Sequence, residues 1–241
     1  ATAVVRTVGL PESEVADRVE GIAPADDVSR SNRPLDLAGV ELAYLPHAGM
    51  VDLRIVAHGP DAESRVAAVE RELAARLGKS VYARGDRTMA EVVGALLRAR
   101  GLRVALAESC TGGLLGGELT AVPGSSDYFA GGVIAYSNAI KKEALGVPDA
   151  LLAAHGAVSG EVAAAMATGV RARFETDLGL AVTGIAGPGG GTGEKPVGLV
   201  YLGLATARES THRRLKLAGS RQLVRERAVL YALDLLRRHL T

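Results

Sequence analysis

Apolar positions in this chain recur with a period of two in some stretches and near 3.6 in others, and the order of these stretches predicts the architecture. Thr2 to Leu10 is β-branched and apolar, the pattern of a strand. Pro11-Glu12-Ser13-Glu14 then opens a short helix to Val19, because Pro and acids suit a first turn. Glu41 to Pro46 and Met50 to His58 read as two strands joined by the turn His47-Ala48-Gly49. Val66, Val69, Leu73 and Leu77 fall at helical spacing within 61–77, and Gly78 ends that helix. Val81-Tyr82 adds an edge strand. Residues 1–83 therefore predict a small α+β domain, βαββα in order, of about the minimum size for its own core.

Arg84-Gly85-Asp86 reads as a linker, and the pattern changes after it. A helix ends at Gly101. Strands are expected at 103–108 and 129–136, with helices at 112–120 and 138–145. A helix at 160–174, strands at 178–183, 197–206 and 210–217, and a last helix at 221–239 complete the order. Alternation of β and α followed by a late strand pair predicts a mixed, mostly parallel sheet with helices on both faces. Residues 84–241 are thus expected to form a three-layer α/β/α domain.

Composition narrows the function. An apolar fraction of 48% and a charged fraction of 23% are those of a globular protein. With 3% aromatics, no Trp and a net charge of +1, neither base stacking nor a general pull on nucleic acid is provided for. The single cysteine, Cys110, has no partner for an internal disulfide, which fits a reducing, cytoplasmic setting. No apolar run approaches the roughly 20 residues of a membrane span, and the start has no signal-peptide pattern. The chain opens at Ala1 in a strand-like run without Met, as expected of a processed chain or a piece of a longer one.

Candidate chemistry gathers in four segments. In Ala107-Glu108-Ser109-Cys110-Thr111-Gly112-Gly113, two hydroxyls and a thiol sit where a buried strand meets a helix start, a common ligand position in α/β proteins. Either Ser109 or Cys110 could attack a substrate there. The helix N–H groups beyond them are expected to hold an oxyanion. The glycine-rich segment 184–196 follows a second buried strand and suits a ligand loop more than a plain hairpin. It lacks the Gly-Lys-Ser/Thr of a Walker loop. Tyr136 at a strand end and Lys141 on the next helix could share a proton-transfer role, although taken singly they read as packing and a solvated charge. Asn138 is the expected cap of that helix. Arg221 opposes the dipole at a helix start, which a bound phosphate would compensate, while Arg225 and Arg227 read as surface charges. No histidine pair has metal-ligand spacing, and His155 reads as structural. No Gly-x-Ser-x-Gly elbow surrounds Ser109.

In this order, the 107–113 run, Pro123-Gly124-Ser125-Ser126, Gly131-Gly132-Val133 with Tyr136-Ser137-Asn138, His155-Gly156-Ala157-Val158-Ser159 and Val182-Thr183-Gly184-Ile185-Ala186-Gly187-Pro188 resemble the CinA C-terminal family of nicotinamide-nucleotide amidohydrolases. One departure is Gly193, where members often carry Pro before Glu-Lys-Pro. The resemblance implies a three-layer fold and metal-independent, cofactor-free hydrolysis of the carboxamide of nicotinamide mononucleotide. By motif, Ser109 would be the nucleophile and Tyr136 and Lys141 the proton-handling pair. In that scheme Tyr136, made more acidic by Lys141, takes the serine proton. Cys110, Thr111, Gly112, Gly113, Asn138, Thr183, Gly184, Gly187 and Arg221 would surround the substrate, with Arg221 on the phosphate. The family also implies a homodimer. Residues 1–83 resemble the KH-type domain of CinA proteins, whose further upstream domain would precede Ala1. They contain no Gly-x-x-Gly loop, so RNA binding in the KH manner is not expected. A non-catalytic nucleotide-binding or regulatory module is the competing reading.

Overall fold

The computed structural model describes residues 1–20, 37 and 39–241. The chain divides into two compact units, Ala1–Met89 and Ala90–Thr241. The first contains β1 (Thr2–Val8), α1 (Glu12–Glu20), β2 (Val40–His47), β3 (Met50–Ala57), α2 (Ala62–Leu77) and β4 (Val81–Arg84). Its sheet runs β2-β3-β1-β4, every pairing antiparallel. Val5, Leu53 and Ile55 from the sheet meet Val15 and Val19 of α1 and Val66, Val69 and Leu73 of α2 in one core. The helical spacing read from the sequence is thus the buried stripe of α2. Gly78 ends α2 at a φ of 53°, its N–H donating to Ala74 O. Arg84, expected in a linker, closes β4, because that strand continues pairing along β1.

The second unit contains α3 (Met89–Arg100), which starts at the division, then β5 (Val104–Glu108), α4 (Leu114–Thr120), β6 (Phe129–Ile134) and α5 (Asn138–Leu145). There follow α6 (Asp149–His155), α7 (Gly160–Phe174), β7 (Leu178–Gly184), β8 (Leu199–Ala205), β9 (Ser210–Lys216) and α8 (Arg221–His239). The sheet order is β6-β5-β7-β8-β9. β5 is parallel to β6 and β7, while β8 is antiparallel to both its neighbours. Four strands therefore point one way, yet only two of the four pairings are parallel. The chain leaves β5 for β6 on one side and returns to β7 on the other, which opens a crevice at the carboxyl end of β5.

Side-chain size separates the two faces of this sheet. Ala105 and Ala107 on β5, Gly179 and Ala181 on β7, and Gly203 and Ala205 on β8 form a face of small residues. Helix α7 lies directly on it. A Cβ added at Gly179 would fall 2.1 Å from Ala167 O, and one at Gly203 would fall 2.1 Å from Ala163 O. Leu106, Leu180, Val182, Leu202 and Leu204 fill the opposite face, where α4 and α8 pack. The three layers thus follow from alternating small and large residues along each strand.

Three sequence expectations are corrected. Helix α4 starts at Leu114 rather than 112, because Gly112 and Gly113 form a left-handed turn with φ of 59° and 98°. Ser137, not Asn138, caps α5: its Oγ accepts the Ile140 N–H at 3.2 Å, while Asn138 already lies in the first turn. Helix α6 was not anticipated; it is seven residues long and has no side-chain cap. Ser159 caps α7 and Ser220 caps α8. Among the described residues no helix is long and apolar enough to cross a membrane.

Gly203→Ala is expected to destabilise the chain by about 1–3 kcal/mol, because helix backbone occupies the space its methyl needs. Gly117→Ala, inside α4 with no atom within 4 Å of the added methyl, should instead stabilise by about 0.5–1 kcal/mol. Urea midpoints of the two variants moving in the same direction would rule out this account of α7 packing.

Candidate active site

The site is built on the end of β5. All five residues of that strand are buried, and Ser109 extends its ladder by one step, its N–H donating to Val182 O at 2.9 Å. The next strand carries the complementary group. After β6 the chain bends, and Ala135 N–H donates to Glu108 O at 2.7 Å, which ties the bend to β5. The Ser137 cap starts α5 there and sets Lys141 one turn in, pointing back under the bend. Lys141 is 1% exposed. Its Nζ lies 2.7 Å from Ala135 O, 3.5 Å from Tyr136 O and 3.1 Å from Ser109 Oγ. Burial lowers its pKa from the usual 10.5, and the nearby Cys110 offsets this only in part.

A cavity of about 270 Å³ opens beside this pair. Of the residues picked out from the sequence, Ser109, Cys110, Tyr136, Lys141, Thr183, Gly184, Gly187 and Arg221 line it. Thr111, Gly112, Gly113 and Asn138 are not on its wall; the first three shape the turn behind Ser109, and Asn138 is exposed on α5. Ala157 and Val158 supply an apolar part of the wall that the sequence reading did not assign, and Ile185 and Ala186 add to it from the glycine-rich segment.

Two loops make that wall, and they are joined at two points. Thr183 Oγ1 donates to Ala157 O at 2.8 Å. Lys195 Nζ donates to His155 O at the carboxyl end of α6, a favourable place for a cation. His155 is thus structural through its backbone, and its ring lies 3.7 Å from Glu161.

Tyr136 has its hydroxyl bonded to Arg221, not to the serine. Its ring is 62% exposed, and its hydroxyl accepts a hydrogen bond from Arg221 Nη2 at 3.2 Å. Arg221 Nη1 donates to Gly187 O at 2.7 Å. Arg221 therefore spans the cavity rim between the glycine loop and the end of the β6 segment. The hydrogen-bond partner of Ser109 is Lys141, so the arrangement in which Tyr136 takes the serine proton is not the one observed.

Cys110 lies on the cavity wall in a different environment. Burial pushes its thiol up to about 11, against smaller opposing effects that include Arg225 and Lys141. On the order of one molecule in ten thousand would then carry a thiolate at pH 7.

Two charged residues that sequence reasoning missed hold the turn. Glu108 is buried, and its carboxylate accepts the N–H groups of Gly113 at 2.9 Å, Leu115 at 3.2 Å and Gly116 at 2.8 Å. Glu108 stands four residues before Gly112, and its carboxylate stabilises the helix N-terminus beyond. These N–H groups are occupied, so the start of α4 is not the oxyanion site expected from sequence. Arg225, read as a surface charge, donates from Nε to Cys110 O at 3.1 Å and from Nη2 to Thr111 O at 2.8 Å. Arg227 likewise binds Ala218 O at 2.7 Å. Contacts across more than a hundred residues leave no local signal.

Comparison with known proteins agrees with this architecture. The family described as the CinA C-terminal domain matches residues 86–240, and the damage-inducible protein CinA KH domain matches residues 2–83. A CinA-like protein from Synechococcus sp. is 47% identical over 240 residues, covering 96% of this chain and 57% of its own length. A CinA-like protein from Kosmotoga olearia is 41% identical, covering 98% of this chain and 56% of its own length. The chain therefore spans a little over half the length of these curated relatives. Among solved structures, the competence/damage inducible protein CihA from Agrobacterium tumefaciens superposes with a TM-score of 0.61 at 40% identity, over 63% of this chain and 93% of that one. A CinA superfamily protein from Escherichia coli gives a TM-score of 0.60 at 32% identity, over 67% of this chain and 97% of that one. With both of its units matched in sequence order, the chain belongs to the CinA family of competence/damage-inducible proteins.

Proposed function

We propose that the second unit hydrolyses the carboxamide of nicotinamide mononucleotide, giving nicotinic acid mononucleotide and ammonia, with Ser109 as nucleophile and Lys141 as its base. The observation that carries this reading is the buried Lys141 amine 3.1 Å from Ser109 Oγ. A neutral amine has two hydrogens and one lone pair. Ala135 O and Tyr136 O stand where they accept the hydrogens, which leaves the lone pair for the serine hydroxyl. Burial favours the neutral form that this requires.

The serine proton passes to Lys141 as Oγ bonds to the carboxamide carbon. The tetrahedral intermediate then collapses, the C–N bond breaks, and the departing nitrogen takes the proton from Lys141 as ammonia leaves. Water repeats the sequence on the acyl-serine: its proton goes to Lys141, its oxygen to the carbonyl carbon, and Ser109 is restored. Val158 and Ile185 offer apolar surface to the pyridine ring, and the cavity holds that end of the molecule. Arg221, with the Tyr136 hydroxyl beside it, stands at the rim as a partner for the phosphate.

Ser109→Ala is expected to lower ammonia release by about 10⁴-fold or more, while binding of the mononucleotide persists. Cys110→Ala should stay within about 3-fold of the parent, because its thiol is protonated and has no base. Ammonia assays with titration calorimetry decide this; a fully active Ser109→Ala chain sinks the serine mechanism. Binding without ammonia release by the unaltered chain would favour a nucleotide-binding module.

The pH profile follows from Lys141. Its active form is deprotonated and its pKa lies below the usual 10.5, so kcat/KM should rise with pH along a limb set by this group and fall as pH drops through it. Lys141→Arg, which keeps its proton at every accessible pH, should remove that limb together with the activity. A Lys141→Arg chain with the parental profile would exclude Lys141 as base.

A further inference from the structure

Arg225 stands one turn beyond Arg221 on α8 and reaches the turn that carries the nucleophile. Its single guanidinium binds two successive carbonyls, Cys110 O at 3.1 Å and Thr111 O at 2.8 Å. The peptide planes 110–111 and 111–112 are therefore held together. In a trans peptide the C=O and N–H point in opposite directions, so the Thr111 and Gly112 N–H groups face away from Arg225. Arg225 is not on the cavity wall, whereas Ser109 and Cys110 are, so the guanidinium meets the turn from behind. The N–H groups of Gly113, Leu115 and Gly116 are already taken by Glu108, while those of Thr111 and Gly112 make no hydrogen bond to the described residues. Gly112, at a φ of 59°, gives the turn its left-handed step.

We infer that Arg225 is a positioning residue for amide hydrolysis. By gripping the Cys110 and Thr111 carbonyls it fixes the turn that follows Ser109 and so holds the serine hydroxyl in place beside Lys141. This rests on the amidase reading above. The role differs from that of Arg221, which meets the substrate at the rim. Misplacing a nucleophile slows its attack and leaves ground-state binding nearly unchanged. A single ammonium cannot reproduce the two-pronged grip, although it keeps the charge.

Steady-state ammonia release from the mononucleotide is measured for the unaltered chain, Arg225→Met, Arg225→Lys and Arg221→Met, with thermal melts of each. Arg225→Met is expected to lower kcat by about 10²-fold with KM within about 3-fold. Arg225→Lys should lie between it and the parent. Arg221→Met should instead raise KM by about 10-fold or more. Should Arg225→Met fail to fold, the charge-preserving Arg225→Lys carries the test, and a lowered kcat at parental KM supports the role. Parental kcat in a folded Arg225 variant, or a loss lying in KM alone, overturns it. An unaltered chain that releases no ammonia overturns the amidase reading first, and the inference with it.

Discussion

A buried amine must give its hydrogens to acceptors, and the path of the chain between β6 and α5 answers that demand. Lys141 is withdrawn from solvent, and leaving its donors unmatched there would cost several kcal/mol. Ala135 O and Tyr136 O turn inward to meet it, which ends β6 at Ile134 and bends the backbone. Ala135 N–H then pairs with Glu108 O, so the bend and the end of β5 form one piece. The same turn of backbone leaves the Tyr136 ring outside, where its hydroxyl meets Arg221. The positions of the amine, the serine and the rim tyrosine are thus consequences of a single requirement.

The remaining wall depends on how closely α7 lies on the sheet. Glycine and alanine on β5, β7 and β8 let helix backbone rest on strand backbone. Ser159 caps the start of that helix, so the segment 155–159 just before it is carried to the ends of the strands. There Ala157 accepts from Thr183, and the glycine loop is fastened over it by Lys195. On the far face, the first turns of α8 supply Arg221 and Arg225, four residues apart and so on one side of the helix. One guanidinium joins the rim and the other joins the turn after Ser109. The crevice at the end of β5 is therefore held from both faces of the sheet.

Local patterns made most of the fold legible. The buried stripe of α2, the caps at Ser159 and Ser220, and the apolar run Val104–Ala107 of β5 are visible from neighbours a few residues apart. Helix α6 escaped because it is short and lacks a capping side chain. Within the site, Ser109, Lys141 and Arg221 were found by type and position and Thr183 through the family resemblance, and the structure brings them to one cavity. The pairing among them was not legible. Which of Tyr136 and Lys141 faces Ser109 depends on the direction of the backbone after Ala135, and a run of residue types does not record that direction. Glu108 was hidden for another reason: as the last residue of a strand it reads as a polar end, while its carboxylate reaches N–H groups five to eight residues on. Arg225 depends on a contact between chain segments 114 and 115 residues apart.

The contrast between Ser109 and Cys110 shows what this environment selects. A thiol is the better nucleophile only as a thiolate, and a buried anion has to be offset by a nearby charge. The cationic groups that draw the Cys110 pKa down are outweighed by burial, so the thiol keeps its proton. Ser109 needs no charge before the reaction starts. A neutral hydroxyl beside a neutral amine is compatible with a dry site, and burial itself drives Lys141 toward that form. In the proposed mechanism this pair becomes charged only as the tetrahedral intermediate forms: an ammonium at Lys141 and an oxyanion on the substrate. The two are close together in a medium of low polarity, where their attraction is strong. Low polarity also withholds solvation from both charges, so in the proposed mechanism fixed dipoles have to replace it, as the Ala135 and Tyr136 carbonyls do for the ammonium.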